Sequence, residues 1–309
     1  MQLNKGCNTC FTSLVWQYLL YKPSNTRLVW QRKQRETMTT SYVVSNNKGG
    51  VGKTAVVTQL AFGLARAGQK VLVVDLDPQA NASRRLGWSF DHANPVPTIS
   101  EAIKANENGV GEDAVVTCAG THMDGSPLSI DLLPSRPDLE NRISEAGAVG
   151  AQRRLVRALT GWTDDRYDFI LIDTPPSLGH LTQLGLAAAD GVLIVTEPEF
   201  DSIEGAVRVR DFIEAHAIDL ANPSLYLAGI IVSRLRSQIG EHKFQIEGLE
   251  EIAPGKVLQP IIPERSVYKD ASGAAASITD YRTAAGRAMT EVYDQLTATI
   301  QNLAKEAAR

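Results

Sequence analysis

From residue 41 to the C-terminus, short runs of β-branched and apolar residues alternate with stretches whose apolar positions recur at a helical period. Residues 41–45 (SYVVS) predict a strand. Residues 53–67 predict a helix, with Val56, Val57, Leu60, Leu64 and Ala65 along one face and Gly68 as its stop. Val71–Asp75 (VLVVD) is continuously apolar up to its final Asp, the pattern of a strand buried on both faces of a parallel sheet. The same reading gives strands at 129–133, Phe169–Asp173 (FILID), 192–196 (VLIVT) and 227–233, and a last strand at 257–262. Helices are expected at 153–162, 203–217, 239–252 and 280–307. Residues 91–127, rich in Gly, Asn and Pro, read as surface loops with one short helix at 98–106. This alternation predicts the α/β class: a doubly wound, mostly parallel sheet with helices on both faces and right-handed crossovers.

Composition narrows the class further. Of 309 residues, 43% are apolar and 21% charged, which excludes disorder as the main state. Lys and Arg total 31 against 35 Asp and Glu, a net charge of -4, which excludes a globally basic nucleic-acid coat but not a local basic patch. Three cysteines (Cys7, Cys10, Cys118) are too few for a disulfide framework, so a reducing cytoplasm is expected.

The first 37 residues differ from the rest. They hold six Lys and Arg against Glu36 alone. Their apolar run at 11–21 is too short and too polar to span a bilayer, and no small-residue cleavage site follows it. Cys7-x-x-Cys10 has no second Cys/His pair and reads as two free thiols. Met38 directly precedes the first strand. Translation is therefore expected to start at Met38, with residues 1–37 read as a mis-called upstream extension or a disordered tail, and 38–309 as one domain.

The chemistry concentrates after three strands. Lys48-Gly49-Gly50-Val51-Gly52-Lys53-Thr54 lies between the first strand and the first helix. Its glycines let backbone amides turn inwards as an anion nest, and the helix N-terminus adds its dipole. Lys53 can reach the β- and γ-phosphates of a nucleotide, and the Thr54 hydroxyl can ligate Mg2+. The usual first glycine of such a loop is absent, and a second lysine stands at 48. Val71–Asp75 runs on into Leu76, Asp77, Pro78 and Gln79, and Phe169–Asp173 runs into Thr174, Pro175 and Pro176. Carboxylates at the C-terminal ends of parallel strands sit at the ligand crevice of an open α/β sheet. An apolar strand ending in Asp is also the arrangement that holds Mg2+ beside a phosphate loop.

Taken together, NKGGVGKT, DLDPQAN and DTPPS resemble, in that order, three motifs of the ParA/MinD family of deviant Walker A ATPases, and most closely the ParA-type partition ATPases. The resemblance covers nearly all of residues 41–300. It implies ATP and Mg2+ as cofactors, with Gly49, Gly50, Val51, Gly52, Lys53, Thr54 and Ala55 around the phosphates and Thr54 and Asp173 at the metal. Ala55 stands where the family often has a second Thr. Lys48 is then the lysine that reaches across a dimer, Lys53 the lysine acting within its own subunit, and Asp77 the residue that positions the attacking water. Asp75 falls near the metal or shapes the loop. Loops 196–201 and 261–268 would border the base, with Arg234 stacking on it and Pro263 beside it.

By the same resemblance, the ATP state is a homodimer that binds DNA without sequence preference and works with a ParB-like partner. Hydrolysis would be slow and partner-stimulated, and the protein cytoplasmic and nucleoid-associated. Arg208, Arg210, Arg236 and Arg282 are candidate DNA contacts, although residues 200–309 carry 12 Lys and Arg against 15 Asp and Glu, so composition alone marks no patch. The alternative is a MinD-like or cargo-positioning ATPase. The tail at 296–309 lacks aromatics and excess positive charge, which speaks against membrane attachment. Cys118 alone cannot serve a cluster-carrying relative.

Overall fold

The computed structural model describes residues 39–121, 127–267 and 276–308. The expectations for residues 1–37, with Cys7 and Cys10, and for Met38 lie outside the described residues.

In chain order the elements are β1 (Thr40–Ser45), α1 (Lys53–Arg66), β2 (Val71–Asp75), α2 (Asn81–Arg85), α3 (Ile99–Ala105), β3 (Val116–Thr121), β4 (Pro127–Leu133), α4 (Arg154–Leu159), β5 (Phe169–Asp173), α5 (His180–Ala188), β6 (Gly191–Thr196), α6 (Phe200–His216), β7 (Tyr226–Val232), α7 (Gly240–Ile252) and α8 (Ala284–Ala307). Among the described residues the strands form one sheet in the order β3-β4-β2-β5-β1-β6-β7. Every pairing is parallel except β3 with β4. The expected doubly wound, mostly parallel sheet is what the chain forms.

The continuously apolar runs occupy the middle of the sheet because both of their faces are covered. Val44, Val73, Leu171, Leu193 and Val195 lie in one apolar cluster with Leu60 and Leu64 of α1 and Met289, Tyr293, Leu296 and Ile300 of α8. Their neighbours Val43, Val74, Ile172, Val192 and Ile194 lie in the other, with Ile99 and Ile103 of α3, Leu155 of α4, Leu181 and Leu184 of α5 and Ile203 of α6. Alternate residues along each strand thus serve opposite layers.

Several local expectations are corrected. Residues 257–262 form no strand; Val257 and Pro263 make only isolated bridges, to Ile230 and Leu235. Pro260 and Pro263 have no N–H to give a ladder, so the segment runs alongside β7 without joining the sheet. The stretch 91–127 holds more than loops and α3. It also contains β3, an antiparallel edge strand on β4. The C-terminal helix starts at Ala284 rather than 280, where the Thr283 hydroxyl caps it by accepting the Gly286 N–H at 3.0 Å. The helix expected at 153–162 is shorter, Arg154–Leu159.

The strand order brings the chemistry together. β5 lies between β2 and β1, and Asp75 is in register with Asp173. β1, which feeds the glycine loop, lies between β5 and β6. The segments leaving β2, β5, β1, β6 and β7 therefore open side by side.

Candidate nucleotide-binding site

The glycine loop leaves β1 through Asn46, which is fully buried. Its amide donates to the carbonyls of Val195 (2.8 Å) and Ser202 (3.2 Å), and its oxygen accepts the Lys48 N–H at 2.9 Å. One side chain thus pins the loop to the end of β6 and the start of α6. Gly50 and Gly52 have φ of +85° and +93°, in the left-handed region that favours glycine. Gly52 caps α1, so the first amides of that helix open into the loop.

The two lysines have separate places. Lys53 is buried, and its ammonium donates to the carbonyls of Asn46 (3.4 Å) and Lys48 (3.3 Å). Burial pulls its pKa below the usual lysine value, while the charges of Asp173 and Asp77 oppose that shift. Lys48 is partly exposed, and its ammonium pairs with Asp201 of α6 at 3.2 Å.

Asp173 is fully buried, and among the described residues neither carboxylate oxygen has a hydrogen-bond partner of good geometry. Burial and the neighbouring Asp75 push its carboxyl up to about 8, against the Thr54 hydroxyl and Lys53, which pull it down. A buried carboxylate so poorly supplied with donors, with a hydroxyl beside it, fits a cation held by Asp173 and Thr54.

Asp75 is differently occupied. Oδ1 accepts the Asp77 N–H at 3.1 Å, and Oδ2 accepts the N–H and hydroxyl of Ser83, both at 2.8 Å. Of the two roles left open for Asp75, the structure favours shaping the loop. Asp77 is nearly buried, its Oδ1 accepting the Gln79 N–H at 2.9 Å and its carbonyl accepting the Ser135 hydroxyl at 2.8 Å.

Beyond the loop, Gly52, Val56, Ser233, Arg234, Ile262 and Pro263 line a cleft. The predicted base-side residues Arg234 and Pro263 are therefore brought together with the phosphate loop. Arg234 has φ of +55°, and its guanidinium pairs with Glu197 at 2.6 Å. Glu197 follows β6 and Asp201 lies in the first turn of α6, so one short stretch of chain holds both Arg234 and Lys48. The candidate DNA contacts are dispersed. Arg208 pairs with Glu204 and Arg210 with Asp211, both at 2.6 Å, Arg236 pairs with Glu264, and Arg282 accepts from Arg287 through its carbonyl at 2.8 Å.

Sequence reasoning missed the roles of Asn46, Ser83, Ser135, Glu197 and Asp201. Glu197 and Asp201 lay inside a recognised segment, Asn46 fell between the first strand and the glycine loop, and Ser83 and Ser135 carried no signal in their spacing.

The fold and crevice define an α/β nucleotide-binding domain with a glycine loop carrying two lysines and aspartates after the two neighbouring strands. A family model described as an AAA domain matches residues 39–226. The chromosome partitioning protein ParA of Myxococcus xanthus is 34% identical over 76% of this chain and 80% of its own length. The chromosome-partitioning ATPase Soj of Thermus thermophilus is 39% identical over 62% of this chain and 67% of its own. The ATP complex of a McdA variant from Cyanothece has the same fold, with a TM-score of 0.74 at 23% identity, covering 86% of this chain and 97% of that one. The chain belongs to the ParA/MinD family of ATPases.

Proposed function

We propose that this protein is a Mg2+-dependent ATP hydrolase that pairs face to face with a second copy when ATP is bound, and that the pair partitions DNA. The observation carrying this reading is the division between two lysines of one loop. Lys53 is sequestered within its own subunit's loop, while the Lys48 side chain is 43% exposed and, among the described residues, held only by the exposed carboxylate of Asp201. An exposed pair of this kind is worth no more than about 1 kcal/mol, so Lys48 is free to leave it for a triphosphate.

Amides of residues 49–54 cradle the phosphates, and Lys53 sets its charge against them. Asp173 and Thr54 would hold Mg2+, which supplies charge neutralisation at the β- and γ-phosphates. Asp77 orients the attacking water, and Lys48 of the second copy adds charge where it develops. Arg234 and Pro263 border the adenine. DNA binding is non-specific and confined to the paired state, with Arg208, Arg210 and Arg236 exchanging intramolecular carboxylates for phosphates and Arg282 adding a further cation. A ParB-like protein supplies site recognition and stimulates turnover, in the cytoplasm and at the nucleoid. The names of the Myxococcus and Thermus relatives support partition as the task. Among the described residues no helix is long and apolar enough to cross a membrane, and the apolar face of α8 is packed on α1.

The test is light scattering with ATP, ADP and a non-cleavable ATP analogue, alongside retention on random-sequence DNA across a salt series. Pairing with the analogue, absent with ADP, and DNA retention that falls steeply with salt are expected. Monomers alone with the analogue would overturn the proposal.

A further inference from the structure

Four residues from three separate segments close a ring of hydrogen bonds beneath the Asp77 carboxylate. The Ser135 N–H donates to the Ser83 hydroxyl oxygen at 3.0 Å, and that hydroxyl donates to Asp75 Oδ2 at 2.8 Å. Asp75 Oδ1 accepts the Asp77 N–H at 3.1 Å, and the Asp77 carbonyl accepts the Ser135 hydroxyl at 2.8 Å. Asp75, Ser83 and Ser135 are fully buried. The ring therefore grips the peptide groups on both sides of the Asp77 α-carbon. The Ala80 N–H makes a second bond to the same carbonyl at 2.8 Å. Because the Gln79 N–H occupies Oδ1, Oδ2 is the Asp77 oxygen left without a hydrogen bond among the described residues.

Ser135 is itself held from behind. The carbonyl of Pro134 accepts the Ile99 N–H at 3.0 Å. Next in the chain, Arg136 forks onto Asp138 at 2.6 and 2.8 Å and lies 4.6 Å from the centre of the Phe90 ring. The anchor that holds Asp77 thus lies 58 residues along the chain, after β4, and not within the loop that carries Asp77. A carboxylate that must aim one oxygen at a water gains from this arrangement, since misplacement by a fraction of an ångström forfeits orientation while leaving nucleotide contacts unchanged.

We infer that Ser135 and Ser83 are positioning residues for hydrolysis, acting through Asp77 and touching neither nucleotide nor metal. The inference rests on the proposed role of Asp77 in orienting water. Ser135→Ala lowers kcat by about tenfold or more, while KM for ATP and the yield of ATP-dependent dimer stay within about twofold. A merely structural serine would lower ATP binding, dimer yield and kcat together. Ser135→Cys, slightly larger but only a weak donor, behaves like Ser135→Ala, so the loss follows the missing hydrogen bond and not a cavity.

The deciding experiment is a double-mutant cycle measured by single-turnover hydrolysis with Ser135→Ala, Asp77→Ala and both together. Ser135→Ala is expected to have no further effect once Asp77 is alanine, because its action passes through that side chain. Normal turnover in Asp77→Ala would overturn the functional reading itself. Impaired Asp77→Ala with normal Ser135→Ala, or equal losses from Ser135→Ala in both backgrounds, would overturn the positioning role alone.

Discussion

Gly205, on the first turns of α6, faces the glycine loop at a distance that leaves no room for a methyl group. A Cβ there would lie 2.4 Å from Asn46 Oδ1 and 3.3 Å from the Lys48 Cβ. The first distance is roughly 1 Å short of ordinary contact, and Asn46 is fully buried, so the strain falls on a side chain with nowhere to go. Asn46 has three hydrogen bonds to lose, to Val195 and Ser202 and from Lys48. Overpacking costs about 1–3 kcal/mol, and one or two damaged buried hydrogen bonds cost a further 1–3 kcal/mol or so. The helical preference of alanine over glycine returns about 1 kcal/mol. Gly205→Ala should therefore destabilise the protein by about 1–5 kcal/mol. Gly248, within α7, has no atom within 4 Å of its Cβ position, so Gly248→Ala should stabilise by about 0.5–1 kcal/mol. Urea unfolding of the two variants beside the parent measures both signs, and ATP titration should show weakened binding only for Gly205→Ala. Equal stabilisation by the two substitutions would refute the reasoning, because α6 would then not be pressed against the loop.

Three further outcomes follow from the site. Lys48→Ala should retain ATP binding and lose at least about tenfold in turnover together with ATP-dependent pairing, read by steady-state hydrolysis and light scattering. Asp173 has its carboxyl raised from 3.8 to about 8 by burial and Asp75. In nucleotide-free protein its contribution to stability is therefore full below about pH 4 and falls by up to about 1.4 kcal/mol per unit as pH climbs towards 8. Asp173→Asn should flatten that slope in thermal melts recorded across pH, raise stability without ligand at about pH 7.5, and abolish stabilisation by Mg2+ with ATP. Arg234→Ala should weaken binding of ATP several-fold while leaving inorganic tripolyphosphate unaffected in competition titrations, because the contact it removes is to the base.

What could be read from the chain followed its local repeats. Val71–Asp75 and Phe169–Asp173 fall where their unbroken apolar runs end in Asp, since central parallel strands need apolar side chains on both faces. The glycine loop was legible because its dihedral demands fall on neighbouring residues. α5 escaped notice because His180, Leu181, Thr182, Leu184, Gly185 and Leu186 are all buried, which erases the one-sided stripe of a surface helix. β3 escaped because an edge strand reading VTCAGT lacks the apolar density of a central one. Residues 257–262 misled in the opposite direction, apolar enough for a strand but interrupted by Pro260.

By itself the sequence determined the α/β class, the strands at the middle of the sheet, the phosphate loop and the two aspartate stations. Each of these is written in residues adjacent in the chain or repeating at a fixed period. Only the tertiary structure decided that Asp75 stands in register with Asp173 and that Ser135 closes a ring onto Asp77. It also decided that one segment after β6 holds both Lys48 and Arg234. Those hydrogen bonds join residues 37 to 153 positions apart, and a contact across such a span leaves no periodic trace in either partner's neighbourhood.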